Sequence, residues 1–198
     1  MAFVRRAGIA LFAVALWLPG TPAPAGWKLI PRAQPVDIGG MIVTPLNDWN
    51  QSSAPPGKQG RAWTRDGFGL NGIEFFAGVA SGQTLYRERN RKRNPMPRFQ
   101  SSLLLPELAD FFERSFRVRG QISDFSLLES TPVQFGGHRG LRVRYRYSLP
   151  NDDLVRRGEV RLVVVNRRLY AANFFAPELH YFPASLPEAN AIMDSARF

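Results

Sequence analysis

GLRVRYRYSL, residues 140–149, decides the fold. Leu141, Val143, Tyr145 and Tyr147 alternate strictly with Arg142, Arg144 and Arg146. A period of two puts the apolar set on one face of a strand and the arginines on the other. The run ISDFSLLESTPVQF, residues 122–135, leads into it through the turn FGGHRG. PNDD, residues 150–153, turns the chain into LVRRGEVRLVVV, and NRR, residues 166–168, turns it again into LYAANFFAP. Strands joined by such short turns predict an antiparallel meander.

Helices flank the meander. In LPELADFFERSFRVRG, Leu105, Leu108, Phe112 and Phe116 share one face, with Phe111 at its edge. Pro106 suits a first turn, and Glu107 and Asp110 lie near the positive end of the helix dipole. At the end of the chain, SLPEANAIMDSARF carries the stripe Leu186, Ala189, Ile192 and Ala196. Ser185 and Glu188 read as a capping box that starts this helix. Before the first helix, GMIVTPLNDWNQSS reads as a short extended piece and a strand near Trp49, APPGKQG as a turn or loop, and RAWTRDG and Ile73–Val79 as strands. Strands, a helix, four strands and a helix make an α+β domain, a mainly antiparallel β-sheet packed between helices. GFGLNG, residues 67–72, matches a dinucleotide-binding glycine pattern. That pattern must open a helix, and the β-branched and aromatic residues after it predict a strand, so the glycines read as a hairpin turn.

The chain opens MAFVRRAGIALFAVALWLPGTPAPAG. Arg5 and Arg6, the apolar run to Leu18 and the small residues around Ala25 have the layout of a secretory signal peptide. The run is too short for a membrane-spanning helix. The organisation expected is a signal over residues 1–25, an irregular segment over 26–42 and one domain over 43–198, located in the periplasm or secreted. With no cysteine, the fold has no disulfide and the leader no lipid-accepting thiol. The formal net charge is +10, carried mainly by arginine. Such a surface attracts anions. Export argues against nucleic acid and leaves acidic proteins, envelope polymers or lipid headgroups.

VTPLNDWN (43–50), FGGHRGLRVRYRY (135–147), NRRLYAANFFAP (166–177) and AIMDSARF (191–198) together resemble the PsbP-like superfamily. The resemblance covers most of residues 43–198. It implies an antiparallel sheet between helices and an accessory or assembly role, with no shared catalytic residues and no cofactor. It does not account for the long basic segment 87–98.

Two arginine constellations are the candidate sites. YRERNRKRNPMPRF, residues 86–99, reads as a loop with Arg87, Arg89, Arg91, Lys92, Arg93 and Arg98 against one acid, Glu88. Aromatics only flank it, unlike a nucleic-acid stacking platform. The second is the face of Arg142, Arg144 and Arg146, to which Arg157, Glu159 and Arg161 add if the register cooperates. Guanidinium forks bind carboxylate and phosphate at two points. The plainer reading is a solvated loop for the first, and for the second an exposed sheet face eased by Glu159 and nearby acids and partly covered by a helix. His138 and His180 are too separated in sequence to suggest a metal site. Asp152 and Asp153 sit in a turn and read as turn formers. No nucleophile motif is present. The function expected is a non-enzymatic envelope accessory that docks a protein partner. The alternatives are binding of an anionic polymer or lipid headgroup, and an enzyme whose site assembles only in space.

Overall fold

The two-residue turns are what close the meander. Gly136 and Gly137 have φ of 58° and 80°, and Asn166 and Arg167 have φ of 49° and 61°. Positive φ at both central residues gives the twist that lets a two-residue turn join paired strands. In the computed structural model, residues 26–198 are described; the leader read over residues 1–25 lies outside them. In chain order the elements are β1 (Trp27–Ile30), β2 (Val36–Ile38), β3 (Met41–Val43), β4 (Trp49–Ser52), β5 (Gly60–Thr64), β6 (Gly72–Ala80), α1 (Leu105–Gly120), β7 (Phe125–Phe135), β8 (His138–Ser148), β9 (Val155–Val165), β10 (Arg168–Pro177) and α2 (Tyr181–Asp194).

One antiparallel sheet runs in the order β1-β4-β5-β6-β10-β9-β8-β7, and β2 and β3 form a separate hairpin. Apart from the buried Glu74 and Asn173, the central strands β6 and β10 are mainly apolar on both faces, as strands covered on both sides tend to be. Phe76, Val79, Leu169 and Ala171 join Leu108, Phe112 and Phe116 of α1 in one core, with Tyr145 and Tyr147. Ile73, Phe75, Ala172 and Phe174 join Ile192 and Met193 of α2 and the hairpin residues Ile38, Met41 and Val43 in the other. The sheet is therefore packed between helices, as expected. Gly158 lies opposite Tyr145 in β8 and takes its ring; a Cβ there would collide with it.

Two expectations are corrected. Residues 26–42 are not irregular, since β1 pairs with β4 at the sheet edge and β2–β3 supply buried residues to the α2 core. These strands are too short, and too closely punctuated by Pro31, Pro35, Gly39 and Gly40, to show a period. Ser185 and Glu188 do not cap α2 either, because the helix starts at Tyr181. Phe182 stacks on Phe174 with ring centroids 5.5 Å apart, which draws the first turn onto the sheet. Glu188 instead accepts a 2.9 Å hydrogen bond from Trp49 Nε1 and pairs with Arg65. Among the described residues, no helix is long and apolar enough to cross a membrane.

Candidate functional site

The basic stretch is a loop, as its prolines predict, but one pinned at its base. Thr84 and Arg98 form an isolated antiparallel bridge, and Phe99 N–H donates to the Gln83 carbonyl at 2.8 Å. Leu85, Tyr86, Met96 and Phe99 are buried in the α1 core. Glu88 folds back inside the loop, accepting from Met96 N–H at 3.1 Å and pairing with Arg98 at 3.4 Å. Arg98 also donates to the Gly82 carbonyl, so it is a structural member of the base. Arg87, Arg89, Arg91, Lys92 and Arg93 are exposed, and among the described residues no acid pairs with them.

These side chains do not simply radiate into solvent. Arg87, Arg89 and Arg93 line a groove of about 510 Å³ whose opposite wall is the C-terminal turn of α1, Val118 to Gln121. Arg91 and Lys92 do not line it. Arg119 adds a fourth guanidinium to the groove. The α1 carbonyl end is the negative pole of the helix, which favours cations in this turn.

Arg119 is held from below. Its Nη2 lies 2.7 Å from Oε1 of Glu74, a carboxylate only 1 % exposed, and its guanidinium stacks 4.8 Å from the centroid of the Tyr86 ring. Glu74 Oε2 accepts from the Tyr86 hydroxyl at 3.0 Å and from Asn173 Nδ2 at 3.3 Å. Asn173 Oδ1 in turn accepts from the Tyr145 hydroxyl at 2.6 Å. Burial, with the Glu74 charge, pushes the Tyr86 hydroxyl well above its ordinary pKa and keeps it a donor. Burial is the largest single influence on Arg119 and opposes its charge, but Glu74 together with Tyr86, Tyr147 and Tyr145 more than offsets it and raises this guanidinium above its ordinary value. A buried charge left unpaired would be costly, so this network fixes both the loop base and Arg119.

The sheet arginines behave differently. The register is Arg142 opposite Arg161, Arg144 opposite Glu159 and Arg146 opposite Arg157, which meets the condition for all six to share one face. On the other flank β7 supplies Glu129. Arg142 and Arg144 pair with Glu129 at 2.7 and 3.2 Å, and Arg144 Nε donates to the fully buried Glu159 at 2.8 Å. Arg161 pairs with Glu159 and with Asp194 of α2, and donates to Asn190. Arg146 and Arg157 share Glu178 at 3.2 and 3.1 Å. Thr131, then Arg142, donate the hydrogen bonds that lower the Glu129 carboxyl below its ordinary value. Each guanidinium of this face already has a carboxylate.

The other sequence features are architectural. Gly67 to Gly72 connect β5 to β6 with no helix following. Asp152 accepts from Leu154 N–H and pairs with Arg156, and these contacts lower its carboxyl in that order. His138 opens β8 and His180 precedes α2. Glu74 and Arg119 escaped the sequence reading. The available signal was an acid inside the apolar run IEFFAGV, which demands a cation once the strand is buried.

No protein-family model and no curated protein matches the sequence. The fold does match a solved structure. Cyanobacterial PsbP (CyanoP) from Synechocystis sp. PCC 6803 is similar over 92 % of this chain and 98 % of that one, with a TM-score of 0.54 and 12 % identity. The fold is PsbP-like. LpqN, involved in cell envelope biogenesis of Mycobacterium tuberculosis, aligns with a TM-score of 0.36 and 12 % identity over 89 % of this chain and 80 % of that one. On this PsbP-like frame, the basic loop covers the α1 side of the sheet and the paired arginine face lies on the α2 side.

Proposed function

We propose that this PsbP-like chain is an exported, non-enzymatic accessory domain of the cell envelope that docks an acidic protein partner in the groove between residues 87–94 and the end of α1. One observation carries the reading: Arg87, Arg89 and Arg93 converge with Arg119 on one groove, and the three loop guanidinia have no acid of their own among the described residues. Internally paired arginines gain little from a partner's carboxylates; these three gain a two-point contact each. Arg91 and Lys92 sit outside the groove and add to the field that draws the partner in.

Retention of envelope proteins on the immobilised protein tests this, beside the variant Arg87→Ser/Arg89→Ser/Arg91→Ser/Arg93→Ser. The wild type should retain a protein partner near physiological salt and release it as salt screens the contact over about 8 Å; the variant should not retain it. Equal retention by both forms would remove the loop from the reading. Loop-dependent retention of a polymer or lipid vesicle instead would favour direct binding of an anionic envelope component.

A further inference from the structure

The groove does not end at Arg119. Beyond Arg119 and Gly120, which line both, a second cavity of about 400 Å³ opens. Most of its wall is apolar, from Phe68, Phe116, Ile122, Tyr147, Leu149 and Phe175, while Glu74, Arg119 and Arg156 also line it. Gly69 lies at the same cavity, and a Cβ built on it meets no atom within 4 Å. Concavities of this size and lining hold a large apolar group. The two cavities share a wall but differ in balance: basic side chains dominate the loop side, and aromatic and aliphatic ones dominate the other. Arg119 stands at the boundary, its guanidinium fixed by Glu74 and the Tyr86 ring before any partner arrives. Contacts fixed in advance lose less side-chain entropy on binding.

We infer that the segment docked here is an acidic peptide carrying a bulky aromatic or aliphatic residue at one end of its acidic run, inserted into the cavity beside Arg119. The inference rests on the docking reading above and specifies its occupant. Several guanidinia along the loop suit several carboxylates along a chain. The shared wall brings both cavities within reach of one short segment. The apolar anchor supplies affinity, since a large side chain entering a desolvated pocket dominates interfaces of this kind. The carboxylates supply attraction and direction.

Fluorescence anisotropy with the purified protein tests this using three labelled peptides: five glutamates followed by phenylalanine, the same run followed by alanine, and five serines followed by phenylalanine. The wild type should bind the first about tenfold more tightly than the second, and the third more weakly than the first. Gly69→Leu, which adds apolar bulk at the cavity wall and removes no charge, should reduce the first peptide to the affinity of the second. It should leave the second unchanged, which also certifies its fold. Equal binding of the first two peptides to the wild type overturns the inference, as does an undiminished difference in Gly69→Leu. If the two acidic peptides bind equally and Arg87→Ser/Arg89→Ser/Arg93→Ser loses both, docking through the loop stands and the anchor alone falls. If that variant binds both as the wild type does, or if no peptide binds the wild type, the anchor and the acidic occupant fall together.

Discussion

The β8–β9 face and the 87–93 loop are both rich in arginine, yet they do opposite things with it. On the sheet, cross-strand register sets Arg142, Arg144, Arg146, Arg157 and Arg161 among Glu129, Glu159, Glu178 and Asp194, and every guanidinium finds a carboxylate. In the loop, the one acid, Glu88, is turned inward to brace Met96 and Arg98, which leaves the tip without a counter-ion among the described residues. The lesson is that arginine density does not measure anion affinity. What matters is whether the fold has already supplied the anion. The sheet face, a candidate binding surface by sequence, is better understood as a charge lattice that ties β7, β8, β9 and α2 together.

The largest expected effect tests that lattice. Glu159→Ala removes a fully buried carboxylate from between Arg144 and Arg161 and should cost about 3–5 kcal/mol, measured by urea unfolding. A cost below about 1 kcal/mol would mean that solvent already serves those guanidinia. Next comes the loop base. Tyr86→Phe deletes the hydroxyl that donates to Glu74 and should cost about 1–3 kcal/mol, because a buried carboxylate loses a donor.

A third prediction uses acid. Glu129 has a lowered native pKa, so the unfolded chain takes up its proton first. Its stabilisation is complete above the ordinary carboxylate value and is lost as pH falls through the lowered native value. The urea midpoint of Glu129→Gln should therefore fall less steeply than that of the wild type across this acid window. Parallel slopes would remove Glu129 from the lattice. The smallest effect belongs to the loop tip. Arg87→Ser/Arg89→Ser/Arg91→Ser/Arg93→Ser should leave the unfolding free energy within about 0.5 kcal/mol of the wild type. A larger loss would show that the loop arginines, too, are internally engaged.

The sequence read well where local periods are long. The alternation through Arg142–Tyr147 located β8, and the stripe through Leu108, Phe112 and Phe116 located α1, while the register that brings Arg157, Glu159 and Arg161 alongside stayed a condition that only the structure met. It read poorly where elements are short or signals ambiguous. β1 and β2 have four and three residues, fewer than a period needs. Ser185 and Glu188 fit a capping box whose geometry was overruled by Phe182 packing on Phe174.

The sequence by itself determined the alternating strands, the turns between them and the amphipathic helices, because these depend on neighbours a few residues apart. It also determined that many arginines would lie near the surface. Only the tertiary structure decided which of them meet an acid. Glu74 and Arg119 are far apart in the chain, and their pairing arises when α1 settles on β6. The groove exists for the same reason: a pinned loop and a helix end, unrelated in sequence, are set face to face by the core they share.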